Sequence, residues 1–253
     1  MPATDSSQFL LEIKLNREKI DSFDIYPFNI PCIYSLETLK FHSKVTFIVG
    51  ENGSGKSTLL EGIAVALRFN AEGGSKNFRF STHSSHSELS QYLRMVRGTR
   101  MAKDGYFLRA ESFFNVATEI ENLGIMGYGD KSPHEQSHGE SFLSLLTERF
   151  RGEGLYLLDE PEAALSPVRQ MSALVRIHQL VAQGSQFIIA THSPILMAYP
   201  DAQILLLSEA GISPIRYEET EHFSITRRFL NDHSRFIQQL LAEDKFWPNA
   251  SGG

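Results

Sequence analysis

The chain has 253 residues, 42% hydrophobic and 21% charged, which suits one large globular domain or two small ones and disfavours wholesale disorder, collagen and coiled-coil rods. Its 24 basic and 30 acidic residues leave a net charge of −6, so nucleic-acid binding would need a local patch rather than an overall basic field. A single cysteine, Cys32, excludes an internal disulfide. The opening MPATDSSQFL lacks the basic-then-apolar order of a secretory signal, and apolar runs such as Leu155 to Leu158 and Ile204 to Leu207 fall far short of the ~20 residues that span a bilayer. A cytoplasmic protein with no integral membrane segment is therefore expected.

From residue 8 to 49 the segments FLLEIKL, DIYPFNI and KVTFIVG, broken by Pro27, Pro31 and polar turns, read as a β-rich N-terminal part. A helix is predicted over Thr58 to Phe69, where Leu59, Leu60, Ile63, Val65, Ala66 and Leu67 recur at helical spacing. Residues 70 to 91 have loop composition; GYFLRA, within 105 to 120, reads as a strand, and 124 to 140 is again loop-like before a helix from Ser141. The C-terminal part alternates LYLLDE, PVRQMSALVRIHQLVAQG, QFIIATH and QILLLS, the pattern of a parallel sheet with crossover helices. Ser224 to Asp244 has helical spacing and carries no motif; Asn249-Ala250-Ser251 matches a glycosylation acceptor but reads as a polar tail.

Three segments carry chemistry. Gly50 to Ser57 (GENGSGKS) fits the G-x-x-x-x-G-K-[ST] phosphate loop, with VTFIV before it and an apolar-periodic helix after it. The glycines let several backbone N–H groups point at anionic oxygens where a helix begins. Asn52, Gly53, Ser54, Gly55 and Thr58 would line the phosphates, Lys56 would bind the β- and γ-phosphates, and the Ser57 hydroxyl would take a Mg²⁺ position. The second segment, Leu155 to Glu160, is a buried-strand run ending in two carboxylates; Asp159 would serve the metal and Glu160 would polarise water as general base. The third is Ile188 to Ser193 (IIATHS), a strand that ends in His192.

In that order the three motifs resemble the ATP-binding-cassette (ABC) ATPase superfamily. The resemblance spans about Val45 to Ser193, roughly 60% of the chain. It implies an α/β fold of the P-loop NTPase type, with a mixed sheet core, an antiparallel β-rich N-terminal part and a small helical lobe. Residues 1–253 would form one such domain, the core lobe about 1–80 and 153–253 and the helical, signature lobe about 84–152. His192, 32 residues after Glu160, would be the switch histidine that contacts the γ-phosphate. Gln136 to Glu140 (QSHGE) stands where the signature binds the partner subunit's nucleotide, so Ser137, Gly139 and Glu140 would bind phosphate in trans; His138 replaces a glycine. Pro161 to Pro167 is similar to the D-loop, with Ser166-Pro167 where Asp-Pro is usual. Glu111 takes the Q-loop position and joins Ser57 and Asp159 as a candidate for the metal. Tyr26, Phe28 and Tyr34 are candidates for stacking on adenine, while His83, His86, His134 and His138 lack the spacing of metal ligands.

Within the superfamily, GENGSGKST, DEPEAALSP and ATHSPIL look more like the soluble SMC, RecF and OLD-type ATPases than like transporter subunits. Only 81 residues separate Lys56 from Ser137 and 60 follow Ser193, too few for a coiled-coil arm or an OLD-type nuclease domain. The implied protein is a soluble ATPase that binds ATP and Mg²⁺, forms an ATP-sandwiched homodimer and switches a protein or DNA partner in DNA maintenance or defence. The alternatives are a nucleotide-binding subunit of a membrane transporter and a low-turnover ATP-controlled binding module.

Overall fold

The computed structural model describes residues 8–74, 87–111 and 138–242. His83, His86, His134, Gln136 and Ser137 lie outside the described residues, as does the segment 112–137 of the expected helical lobe. Contacts divide the chain into two compact units, Met1–Ile215 and Arg216–Gly253.

In the first unit, strands β1 (Leu10–Leu15), β2 (Thr38–Lys40) and β4 (Leu93–Arg97) form an antiparallel sheet in the order β2-β1-β4, with an irregularity in register between Leu10 and Glu12. The main sheet has the order β5-β6-β7-β3-β8-β9, from β3 (Val45–Gly50), β5 (Asp104–Arg109), β6 (Gly154–Asp159), β7 (Gln186–Ala190), β8 (Gln203–Ser208) and β9 (Gly211–Pro214). All its pairings are parallel except β8 with β9. Every residue of β3, β6 and β7 is buried, which is why these strands read as continuous apolar runs rather than as alternating ones. Helix α2 (Lys56–Ala66) buries Leu59, Leu60 and Ile63 in the core that also takes Phe28, Ile33, Phe107 and Leu157. Full burial of one such side chain stabilises by about 1.5–3 kcal/mol.

Shorter helices are α1 (Pro31–Tyr34), α3 (Leu89–Tyr92), α4 (His138–Ser144) and α6 (Pro194–Met197); α5 (Pro167–Ala182) is the long crossover between β6 and β7. Three expectations need correction. Residues 24–30 are not a strand but bends and turns leading into α1. The two prolines explain this, since neither Pro27 nor Pro31 can donate to a strand ladder and Pro31 opens α1 at a position where no donor is needed. Helix α2 begins at Lys56, two residues before the predicted start, directly on the phosphate loop. The helix from Ser141 begins at His138 as α4 and passes into a π-helical turn over Leu145–Arg149.

In the second unit, the helical spacing over 224–244 belongs to two helices, α7 (Glu221–Asn231) and α8 (His233–Ala242), separated at Asp232. Thr220 caps α7, its hydroxyl accepting from the Phe223 N–H at 3.4 Å. Phe229 and Phe236 meet edge to face with ring centroids 5.8 Å apart.

Candidate functional site

Register places the site. Ile48 pairs with Ala190, Ala190 with Asp159, and Asp159 with Arg109, so the carboxyl ends of β3, β7, β6 and β5 lie side by side. Ligands of open α/β sheets bind at that end. Here it carries the phosphate loop, His192, Asp159 with Glu160, and Glu111.

The phosphate loop is shaped by its glycines. Gly53 and Gly55 have φ of 80° and 94°, in the left-handed region that only glycine enters freely. Around Gly53 no atom of the described residues lies within 4 Å of where a Cβ would stand, whereas at Gly55 a Cβ would meet Cys32 Sγ and Ile30 Cγ2, each at 2.8 Å. Cys32 lies under the loop and its thiol donates to Ser54 O at 3.0 Å; burial pushes that thiol up to about 12. Lys56 is buried and folds over the loop, its Nζ donating to Gly50 O at 3.0 Å and Glu51 O at 2.9 Å. Burial lowers its pKa, and the charges of Glu160, Asp159 and Glu162 pull it back up.

Ser57, on the first turn of α2, donates from Oγ to Asp159 Oδ1 at 3.1 Å. The two residues expected to hold a metal are thus brought together from positions 102 apart in sequence. Asp159 is buried, and burial raises its carboxyl to about 6 against the opposing effects of Arg109 and the Ser57 hydroxyl. Glu111, the third metal candidate, is largely exposed, with its Oε2 3.6 Å from Arg109. It rims a cavity of about 450 Å³ together with Ser57, Ala110, Asp159, Glu160 and Ala163.

Glu160 adopts a left-handed backbone, φ 50° and ψ 50°, which costs a non-glycine residue about 1–2 kcal/mol. Two backbone bonds hold it, from its N–H to Ala190 O at 2.9 Å and from Ala163 N–H to its carbonyl at 3.0 Å. Its half-exposed carboxylate approaches His192, with Nε2 3.6 Å from Oε1. Burial, then the charge of Lys56, depresses the His192 pKa against the pull of Glu160, which favours a neutral imidazole at pH 7.

Lys56, Ser57, Asp159, Glu160 and His192 therefore meet at one edge. Of the signature residues, Gly139 is buried, and a Cβ there would meet Arg169 Nη1 at 2.5 Å and Ala164 O at 2.8 Å. Glu140 is paired with Arg169 at 3.0 Å. Among the aromatic candidates, Phe28 is 2% exposed and belongs to the core. Tyr34 is 54% exposed and packs edge to face on Phe23, whereas Tyr26 is 63% exposed with its hydroxyl 3.2 Å from Thr58 Oγ1.

Sequence reasoning missed several groups. Arg109, at the end of β5, binds Glu61 of α2 at 2.8 Å and stands 3.7 Å from Asp159 Oδ2, so a cation sits beside the buried acid. Its strand was legible, but nothing in GYFLRA marks the arginine. Glu162, inside the D-loop-like segment, accepts from the Thr191 hydroxyl at 2.7 Å and from the His192 backbone N–H.

An AAA-domain family model matches residues 25–122, and a second, described as an AAA domain, putative AbiEii toxin, type IV TA system, matches residues 132–198. A putative ABC transporter ATP-binding protein of Bacillus anthracis is 28% identical over 252 residues, covering 93% of this chain and 45% of its own length. The chain is similar to ABC-type ATP-binding proteins. ABC transporter G family member STR2 of Medicago truncatula is 26% identical over 171 residues, 59% of this chain and 24% of that protein. The chain thus spans about a quarter and under half the length of these two relatives. The solved cbiO1 of Clostridium perfringens, part of the ABC transporter complex cbiONQ, is 18% identical with a TM-score of 0.48, covering 93% of this chain and 100% of its own. No helix among the described residues is long and apolar enough to cross a membrane.

Proposed function

We propose that the chain binds Mg-ATP and hydrolyses it, and that two copies close around two nucleotides to switch a bound protein or DNA partner in the cytoplasm. The observation that carries this reading is the meeting of Lys56, Ser57, Asp159, Glu160 and His192 at the ends of adjacent strands. The residues fit such a ligand. Gly53 and Gly55 keep the loop in a conformation that turns backbone donors toward an anion, and Ser54 Oγ is buried with no hydrogen-bond partner among the described residues. Ser57 and Asp159 supply the hard oxygens that Mg²⁺ takes.

Bound Mg²⁺ would neutralise phosphate charge. Lys56 would exchange its two backbone carbonyl acceptors for β- and γ-phosphate oxygens, and Asn52, Gly53, Ser54, Gly55 and Thr58 would line the phosphates. Glu160 would accept the proton side of the attacking water, and His192 would hold the γ-phosphate. Tyr26 is the exposed aromatic beside α2 that suits stacking on the base. Ser137, Gly139 and Glu140 would approach the partner's nucleotide, with the core lobe at about 1–80 and 153–253 and the signature lobe at about 84–152.

Glu160→Gln should bind Mg-ATP and accumulate as a dimer in light scattering, and Ser137→Arg added to it should return it to the monomer. A Glu160→Gln protein that stays monomeric at micromolar concentration with Mg-ATP overturns the sandwich. The transporter proteins among the relatives favour a second reading, the ATP-binding subunit of a transporter. Affinity capture of Glu160→Gln with ATP separates the two, because retention of an apolar polytopic chain would support the transporter.

A further inference from the structure

The loop after β6 and the switch segment after β7 are joined by a closed circuit of side-chain hydrogen bonds. Glu162 uses both carboxylate oxygens, Oε2 for the Thr191 hydroxyl at 2.7 Å and Oε1 for the backbone N–H of His192. Thr191 is fully buried, and its Oγ1 in turn accepts from the Ser193 N–H at 3.0 Å. Ser193 caps α6 by accepting from Ile195 and Leu196, and its hydroxyl donates to Gln170 Oε1 at 2.5 Å. Gln170, buried on α5, donates from Nε2 to Leu165 O at 2.9 Å, and the Leu165 N–H bonds back to Glu162 O at 3.0 Å. The turn Pro161–Leu165 therefore grips Thr191–Ser193 at two points, one on each side of His192.

We propose that Glu162 is a positioning residue for hydrolysis: by holding the backbone of His192 it sets the imidazole against Glu160, so that movement of the D-loop-like turn is felt at the γ-phosphate end of the site. This rests on the ATPase reading above. The chemistry asks for a carboxylate at this place. Two donors converge on it, and only an acceptor-only group satisfies both; an amide of the same shape turns an NH₂ toward one of them. A buried acceptor bonded to an adjacent backbone N–H fixes that peptide more tightly than packing would, because a lost partner leaves a buried donor unsatisfied. The ring of His192 follows the peptide, and its Nε2 stands 3.6 Å from Glu160 Oε1.

The test uses Glu162→Gln, His192→Ala and the double variant of the full chain, with steady-state ATP hydrolysis and ¹³C–¹H NMR of the histidine rings. Glu162→Gln should lower kcat at least about tenfold with KM for ATP within about twofold. In the His192→Ala background the same substitution should change kcat less than about twofold, since residues that act as a unit are non-additive. In nucleotide-free protein the His192 ring signal should move on Glu162→Gln while those of His42 and His178 stay in place. Additive losses in kcat, an unmoved His192 signal, or shifts spread over all three histidines overturn the proposal. Should the wild type hydrolyse no ATP, the ATPase reading fails, and the ring signals alone decide the positioning role.

Discussion

The phosphate loop and the loop after β6 meet at one cavity, yet the first takes its shape chiefly from its glycine backbone and the second chiefly from hydrogen bonds of its side chains. Between Gly50 and Lys56 the shape comes from positive φ at Gly53 and Gly55 and from the close seat of Gly55 on Cys32 and Ile30. Between Asp159 and Leu165 it comes from acids that accept hydrogen bonds, Asp159 from Ser57 and Glu162 from Thr191 and His192, with the Gln170 amide at the far end. A glycine loop tolerates change of ligand, since its donors are backbone groups that stay whatever the side chains do. A carboxylate network depends on protonation and on each partner. The two sides should therefore fail under different substitutions, and that difference can be broken or sharpened in three ways.

The largest effect is expected at Lys56, the cation of the phosphate loop. Lys56→Ala should weaken ATP binding by about 1.5–3 kcal/mol, roughly ten- to a hundredfold in Kd, because a charge-assisted contact to phosphate is lost. Calorimetry checks this, and wild-type affinity would sink the phosphate-loop assignment. Next comes proton sensitivity on the carboxylate side. The Asp159 carboxyl stands at about 6, above its ordinary 3.8, chiefly through burial, so its contribution to the stability of the ligand-free protein is fully present below 3.8 and is lost as pH rises through about 6. Cation binding has the opposite sign, because it needs the ionised form. The Mg²⁺ concentration for half-maximal ATP binding should rise about tenfold per unit as pH falls below about 6, and Asp159→Asn should flatten that dependence. A Mg²⁺ requirement that is flat between pH 5 and 8 in the wild type would place the metal elsewhere.

The smallest effect is steric. Gly55→Ala should cost about 1–2 kcal/mol from strain in the left-handed region, seen as a lowered Tm. Cys32→Ala in the same chain should return part of it by removing the Sγ that lies 2.8 Å from the new Cβ. Unchanged melting of Gly55→Ala would show that the loop is not held by its glycines.

The phosphate loop was legible in the sequence because its physics is local. Each glycine and the lysine answer a demand made within eight consecutive residues, Gly50 to Ser57, and the flanking strand and helix are strongly patterned. The Asp159-Glu160 strand end and His192 were legible for the same reason. Glu162 and Arg109 were not, since their partners lie 29 and 48 residues away and no spacing rule connects them. Strands β2 and β4 escaped notice because three residues, and the sequence LRMVR, carry too little alternation. DIYPFNI alternates well enough to mislead, and its prolines decide the outcome. The distance between sequence and structure is widest where side chains from different elements converge, which is also where the Thr191–Ser193 segment is held.

At the end of β7 away from His192, a single carboxamide takes the place of a strand neighbour. Gln186 is buried; its Oε1 accepts from the N–H groups of Phe9 and Leu10, and its Nε2 donates to Leu10 O and His42 O at 2.9 Å each. An apolar residue of equal volume would take this acceptor from the Phe9 and Leu10 N–H groups and leave Leu10 O to the Gln8 amide, at roughly 1–3 kcal/mol for each donor that stays dry. The N-terminal sheet is thus soldered to the strand that ends beside Glu160, and fraying of β1 is made expensive from within the central sheet. Amide protons of β1 should exchange with solvent on the same slow clock as those of β7, although β1 belongs to a separate sheet near the start of the chain.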